Sequence, residues 1–414
     1  MSVFYTSPVQ AIAGASRTGE KDRVMTADAP FRLRSVAVSA YGPSLLYGFS
    51  SGVIAPVIAI SAIERGASIA TAGLVVSLMG VGSIVSNIPA GVMTTRFGER
   101  RSMIWAAVIN AAGLALCLAD VGLWLFSIGV LAQGMAGAVF QLARQSYLTE
   151  VVPPAKRARA MSTLGGMQRI GAFVGPFAGA GIIKLYGLSS VYALSLIAIL
   201  AAGVIAYTVP DLPARPSPEG VSTWSITRRN WRVLVTLGAG VLLLSAIRQT
   251  RQVVVPLWAQ HLHLDASTSS ILFGVSGAVE ALVFYPAGLV MDRWGRRAVA
   301  VPCTLVMGLS FLTMPLTHGA VTLGVVATVI GVGNGIGSGI VNTLGADVAP
   351  AIGRPTFLGV WRELADGGAA LGPVILSVVT GLVGLASGIV VSGTVGFAAA
   401  AVLFRFVPRR PRDP

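Results

Sequence analysis

The sequence predicts an all-α membrane protein, with twelve transmembrane helices in two pseudo-symmetric six-helix bundles. Three observations lead there. First, the 414 residues are 54% hydrophobic and 11% charged, with a mean hydropathy of +0.77, which leaves too little charge to cover a soluble protein of this size. Second, apolar stretches long enough to cross a bilayer, roughly 20 residues each, recur at 36-62, 70-94, 102-119, 122-145, 160-184, 188-209, 232-258, 269-291, 298-317, 320-345, 356-381 and 384-406. Third, a register shift of 197 residues (288 minus 91) lays the second half of the chain on the first. The 50 glycines and 22 prolines fit membrane helices, where small residues allow close backbone approach and neighbours re-satisfy a kinked backbone.

Three motifs share that single offset. Gly91, Arg96 and Gly98 fall on Gly288, Arg293 and Gly295; Glu150 and Pro153 fall on Asp347 and Pro350; Gly171, Gly175 and Pro176 fall on Gly368, Gly372 and Pro373. A common offset indicates one duplicated unit. Duplicated halves in parallel orientation are the build of a secondary transporter that rocks one bundle against the other. The expected organisation is a disordered cytoplasmic tail at 1-30, bundles at 31-210 and 231-408, a Pro-rich linker at 211-230 with no fold of its own, and a short cytoplasmic tail at 409-414. Residues 1-30 lack the apolar core of a signal peptide, and Met25 is an alternative start.

The net charge of +14 raises the question of nucleic acid, and its placement answers against it. Most basic residues lie in the tails, the linker and the loops after even-numbered spans; only Arg65 and Lys184 fall on the other side, and Arg169, Arg248, Arg251 and Arg362 lie within spans. By the positive-inside rule both termini are cytoplasmic, with the chain in the plasma membrane, the inner one of a bacterium, beside anionic lipid. Cys117 and Cys303 are expected at opposite depths and unpaired. His261 and His263 form too small a set for a metal site. No phosphate-binding glycine loop and no hydrolase triad is present, so no cofactor is expected and neither ATP-driven transport nor enzymatic activity is indicated.

The stretch Gly288-x-x-x-Asp292-Arg293-x-Gly295-Arg296-Arg297 resembles the signature that the major facilitator superfamily carries between helices 2 and 3 and again between helices 8 and 9. The resemblance covers about residues 31-408 and implies that family's fold. It also implies a cytoplasmic latch, formed by Gly91, Arg96, Gly98, Arg101, Glu150, Gly288, Asp292, Arg293, Gly295, Arg297 and Asp347, with Asp292 capping a helix N-terminus. Glu150 and Asp347 are expected partners of Arg101 and Arg297. The first copy departs from the pattern, with Thr95 at the Asp position and Glu99 at an Arg position; a topology role for these charges stays open.

Gly171-x-x-x-Gly175-Pro176-x-x-Gly179 is similar to the antiporter signature of drug-proton exchangers in that superfamily, although the same spacing also serves helix packing alone. Span 4 departs from the exporter pattern, since Val130 stands where its Arg is expected before Gln133-Gly134. Arg144 either faces the cavity instead or marks the inner end of its span.

Ionisable residues within a bilayer are costly and ask for a partner or a task. Here they are Arg169, Arg248, Arg251, Glu280, Arg362, Glu363 and Asp366. The resemblance implies that span 5 packs on span 8 and span 2 on span 11, which makes Arg169 or Arg248 the expected partner of Glu280. Glu280, Asp366 and Glu363, with Arg169, are the proton-coupling candidates, against a structural ion pair for each. Spans 1, 4, 7 and 10 line the cavity in the superfamily, so the substrate candidates are Tyr41, Tyr47, Ser50, Gln133, Gln141, Arg248, Arg251, Gln252, Asn334 and Asn342. Arg248, Arg251 and Gln252, and likewise Asn334 and Asn342, are spaced to share a helix face.

The expected function is proton-coupled efflux of a small amphipathic molecule by alternating access. The alternatives are proton-coupled transport of an organic anion or sugar, favoured by the arginines of span 7, and a non-transporting sensor on the same fold. The expected partners are substrate, protons and lipid, with no nucleic acid and a monomeric state.

Overall fold

The fold comes from a computed structural model that describes residues 41-119, 122-152, 154-210, 223-350 and 352-408. The expected tails at 1-30 and 409-414 lie outside the described residues, as does most of the linker. Fourteen α-helices and one 3-10 turn make up the described chain, and no strand is present among these residues.

The first half holds α1 (Gly42–Ile54), α2 (Ile58–Glu64), α3 (Ile69–Leu118), α4 (Leu123–Val151), α5 (Pro154–Tyr186) and α6 (Ser190–Tyr207). The second half holds α8 (Trp231–His261), α9 (Ala266–Trp294), α10 (Arg297–Thr313), α11 (Ala320–Ile336), α12 (Ile340–Val348), α13 (Arg354–Val383) and α14 (Leu385–Phe406). Between them the expected structureless linker ends in a short helix, α7 (Thr223–Arg229). Its Ile226 is buried in the main apolar core, and that burial supplies the reason for order at the linker's end.

Among the described residues nine helices are long and apolar enough to cross a membrane, ten when the bent pair α1 and α2 counts as one span. That pair is broken by 43° at Pro56, whose ring and missing amide proton disrupt a helix. α3 has 50 residues and breaks at Gly98 (φ 80, ψ 166), so it crosses twice. A second crossing there and one for the 33-residue α5 are consistent with the twelve crossings expected.

The duplication is visible in local geometry. Ser68 caps α3 by accepting from the Thr71 amide at 3.1 Å, and Asp265, at the same offset, caps α9 by accepting from the Thr268 amide at 3.0 Å. Gly98 and Gly295 (φ 88) both turn the chain where the sequence motif recurs. The Arg100 guanidinium lies 4.6 Å from the Tyr207 ring centre, and its counterpart Arg297 lies 3.6 Å from that of Phe404.

The halves meet along two seams, α5 against α9 and α13 against α3. At the end remote from the basic loops these seams are closed. Ser267 donates to the Ala180 carbonyl at 3.0 Å, Phe177 covers Gly274, Ser377 and Ala370 cover Gly73 and Gly80, and Ala70 faces Gly381. One apolar core there joins both halves, with Ile58 and Ala62 in the same cluster as Val254 and Trp258. Toward the basic end the packing ceases. Gly91, Gly165, Gly166, Gly288 and Gly359, all on seam helices, have nothing within 4 Å of where a Cβ would sit. The first half keeps a separate core at that end, around Tyr41, Met103 and Tyr147.

Candidate functional site

Between the seams lies a cavity with two lobes. The larger, about 380 Å³, is lined by Arg169, Phe173, Pro176, Arg248, Arg251, Gln252, Phe273, Glu280, Asn334 and Asp366, among others. The smaller, about 270 Å³, is lined by Tyr47, Gln133, Gln141, Gln168, Arg362 and Asp366, among others. The lobes share Gln249, Asp366 and Ala369.

α8 carries Arg248, Arg251 and Gln252 on one face, as their spacing requires. The nearly buried Arg251, 4% exposed, donates through Nη1 to Glu280 Oε2 of α9 at 2.5 Å. Glu280 therefore pairs with Arg251 and not with the expected Arg169 or Arg248. Arg169 instead lays its guanidinium 3.9 Å from the ring centre of Phe284 across the seam, a cation–π contact. Arg248 donates to Asn334 Oδ1 at 2.6 Å and to the Gly337 carbonyl at 3.4 Å. Both are neutral acceptors, so Arg248 is held in place by groups that carry no charge, while Glu280 in the same lobe is bonded to Arg251.

Asp366 of α13 accepts from Asn87 Nδ2 of α3 at 2.9 Å, which makes a polar bond across the second seam. Arg362 Nε stands 3.9 Å from the same carboxylate. Sequence reasoning passed over Asn87; its one signal is an amide in the middle of an apolar span. Glu363, half-buried, lines neither lobe.

The smaller lobe is an amide-rich wall set against an aromatic one. Tyr47 stacks on Phe140 with ring centres 5.2 Å apart. Behind them Arg144, only 2% exposed, lies 4.8 Å from the Phe140 ring centre and donates to Gln168 Oε1 at 3.3 Å. Arg144 is thus a buried group supporting the lobe's wall, and it lines neither lobe.

Three cavity candidates are placed elsewhere. Tyr41 is buried in the separate core of the first half, because it sits at the basic end of its helix, below the cavity. Ser50 is buried, its backbone carbonyl accepts from Ser195 of α6 at 3.3 Å, and it lines neither lobe. Asn342 is exposed, because the chain breaks at Gly337-Gly339, where Gly339 has φ 87, and the face Asn342 would share with Asn334 is lost.

The motif loops show two further departures. Asp347 pairs with Arg296, Nε to Oδ2 at 2.8 Å, not with Arg297, which is held on Phe404. In the first half Glu99 stands at the Arg296 position and accepts from Ser146 at 2.8 Å. Asp292 is exposed, and among the described residues no hydrogen bond joins it to a helix N-terminus; most side chains at the start of α5, its expected partner, lie outside the described residues. Gly171 and Gly175 pack on the Leu45 and Phe49 backbone of α1, and their counterparts Gly368 and Gly372 pack on Leu242 and Ala246 of α8. That spacing therefore builds the same seam inside each bundle. Among the described residues no group of three or more His, Cys, Asp or Glu is placed to hold a metal ion, and Cys117 and Cys303 are free and buried.

Comparison with known proteins agrees with this architecture. The model of the Major Facilitator Superfamily matches residues 44-362 and 237-414. Multidrug resistance protein MdtH of Yersinia pestis (strain Pestoides F) is 24% identical over 332 residues, covering 77% of this chain and 80% of that protein. Among solved structures, a POT family transporter in complex with a thioalcohol conjugated peptide superposes with a TM-score of 0.76 at 13% identity, over 90% of this chain and 96% of that one. A D-xylose-proton symporter gives 0.67 at 17% identity, over 91% and 98%. The human organic anion transporter MFSD10 gives 0.65 at 16%, over 89% and 99%. At such identities the structural likeness speaks for the fold alone. The family match spans most of the chain, and its duplicated helices enclose a cavity between two halves: the chain belongs to the Major Facilitator Superfamily and is a membrane transporter, not an enzyme.

Proposed function

We propose that this transporter exports small amphipathic molecules across the bacterial inner membrane in exchange for protons, by alternating access, with both termini in the cytoplasm. The observation that carries the reading is the Arg251–Glu280 ion pair at 2.5 Å, set in the wall of a cavity that aromatic rings, amides and the further charged groups Arg169, Arg248, Arg362 and Asp366 also line. A buried pair loses about 3 to 5 kcal/mol when one partner is removed. A proton placed on Glu280 removes the negative partner and leaves Arg251 free for substrate, so proton and substrate occupancy become linked. Export is supported by the relative MdtH, named a multidrug resistance protein, and by the Gly171-to-Gly179 motif. The basic loops at the open end support a cytoplasmic placement by the positive-inside rule, where an exporter loads.

The test is transport in proteoliposomes with an imposed pH gradient. Glu280→Gln is expected to abolish gradient-driven accumulation while retaining substrate binding and exchange. Accumulation against a gradient by that variant would move the proton to Asp366 or Glu363. Indifference of the unmodified protein to the gradient would remove proton coupling altogether.

A second reading, proton-coupled transport of an organic anion or sugar, is favoured by Arg248, whose hydrogen-bond partners are neutral. It predicts that Arg248→Gln weakens binding of an anionic substrate by about 1.5 to 3 kcal/mol, the worth of a charge-assisted hydrogen bond. Equal affinity in a calorimetric titration would exclude it.

A further inference from the structure

We propose that the larger lobe seats a small zwitterion, its anionic group against Arg169 and Arg248 and its cationic group against Asp366. The inference rests on the transporter reading of the cavity and names the class of substrate it takes.

The duplication supplies the argument. Arg169 and Asp366 are 197 residues apart, and so are Asn87 and Phe284. The two inter-half contacts, Arg169 on Phe284 at 3.9 Å and Asp366 with Asn87 at 2.9 Å, are therefore one contact repeated at equivalent points of the two seams. The repeated position has diverged to opposite charge. In each case the partner from the other half is neutral, so it orients the charged group without cancelling it. Both groups line the same lobe of about 380 Å³, and the lobe carries a dipole from one seam to the other.

The remaining charges leave that dipole standing. Arg251 and Glu280 neutralise each other. Arg248, bound to Asn334 and the Gly337 carbonyl, strengthens the positive side. Arg362, 41% exposed and 3.9 Å from Asp366, pairs too loosely and too openly to cancel it. Charges on low-dielectric walls act more strongly than in water. A cation meets three arginines, Arg169, Arg248 and Arg251, that share the one carboxylate of Glu280, and an anion leaves Asp366 unmet. A molecule carrying both charges satisfies each side, with its apolar part against Phe173 and Phe273.

The experiment uses the full-length purified protein and four probes sharing one benzyl group: phenylalanine, N-acetylphenylalanine, phenylalanine amide and N-acetylphenylalanine amide. Thermal stabilisation at neutral pH ranks their affinities, since binding to the folded state raises its stability by mass action. Phenylalanine is expected to bind tightest, on the order of tenfold over the doubly blocked form, with the anion second. Asp366→Asn should erase the advantage of the free ammonium, and Arg169→Gln that of the free carboxylate, while Asp366→Glu and Arg169→Lys retain them. Equal stabilisation by all four probes, by none, or by the amide alone overturns the proposal, as does an equal loss for all four in the neutral variants. If those variants do not fold, the ranking on the unmodified protein decides. The readout needs no gradient, so its failure leaves proton-coupled export standing, and failure of export leaves the ranking intact.

Discussion

Gly171 and Gly368 make the same contact in the two halves. A Cβ on Gly171 would run into the Leu45 carbonyl, and one on Gly368 into that of Leu242. Backbone cannot yield as a flexible side chain can, so Gly171→Ala is expected to cost about 1 to 3 kcal/mol, the usual range for overpacking, and Gly368→Ala a similar amount. Thermal unfolding in detergent measures both, and an unchanged midpoint would contradict the seam. Asp265 lies outside the membrane spans and is open to titration. Hydrogen bonds from Thr268, the side chain first and then the backbone, hold its carboxyl below the ordinary value of 3.8. A depressed carboxyl stabilises the fold above its unfolded pKa, and that contribution disappears as pH falls through the lower folded value. Asp265→Ala should therefore cost about 0.5 to 2 kcal/mol at neutral pH, as loss of an N-cap does. Its deficit should shrink as pH falls below 4; a deficit constant down to that range would assign the effect to packing.

The breaks decide how the elements serve the site. Gly98 (φ 80, ψ 166) and Gly295 (φ 88, ψ 169) occupy a backbone region that is essentially restricted to glycine. Each ends one crossing and starts the next. Replacing either by Ala should lower stability by about 1 to 3 kcal/mol. Because the two lie in different halves with different neighbours, the double variant should show the sum of the single losses. Losses well short of additive would mean the two turns share a structural unit. The break at Gly337-Gly339 has a different consequence. It separates α11 from α12, so Asn334 reaches Arg248 while Asn342 is left on the surface.

For the whole molecule, the closed end is the testable feature. An ideal Cβ on Gly381 would stand 3.4 Å from the Cβ of Ala70 across the α3–α13 seam, close to the separation a disulfide requires. The double variant Ala70→Cys with Gly381→Cys should cross-link on mild oxidation, abolish transport, and recover on reduction. The two native cysteines are buried and do not compete. Failure to cross-link in resting vesicles would show that this end stands open. The Arg296–Asp347 pair at the opposite end is half-exposed, and Asp347→Asn should cost no more than about 1 kcal/mol, less in high salt.

The sequence by itself determined the membrane spans, the duplication and the basic end. Lipid imposes span length and satisfies no backbone polar group, so composition and periodicity report these features directly. It also named most of the charged and amide groups that line the cavity, since an ionisable side chain inside an apolar span stands out. The tertiary structure alone decided who pairs with whom. Glu280 takes Arg251 and leaves Arg169 to Phe284; Asp347 takes Arg296; Asn87 reaches Asp366 from a span that carries no charge of its own. These choices depend on helix rotation, on rotamers and on where a glycine breaks the chain. A few degrees of rotation or one turn of offset changes the nearest partner without altering a single residue of the pattern, so spacing along one helix is silent about them.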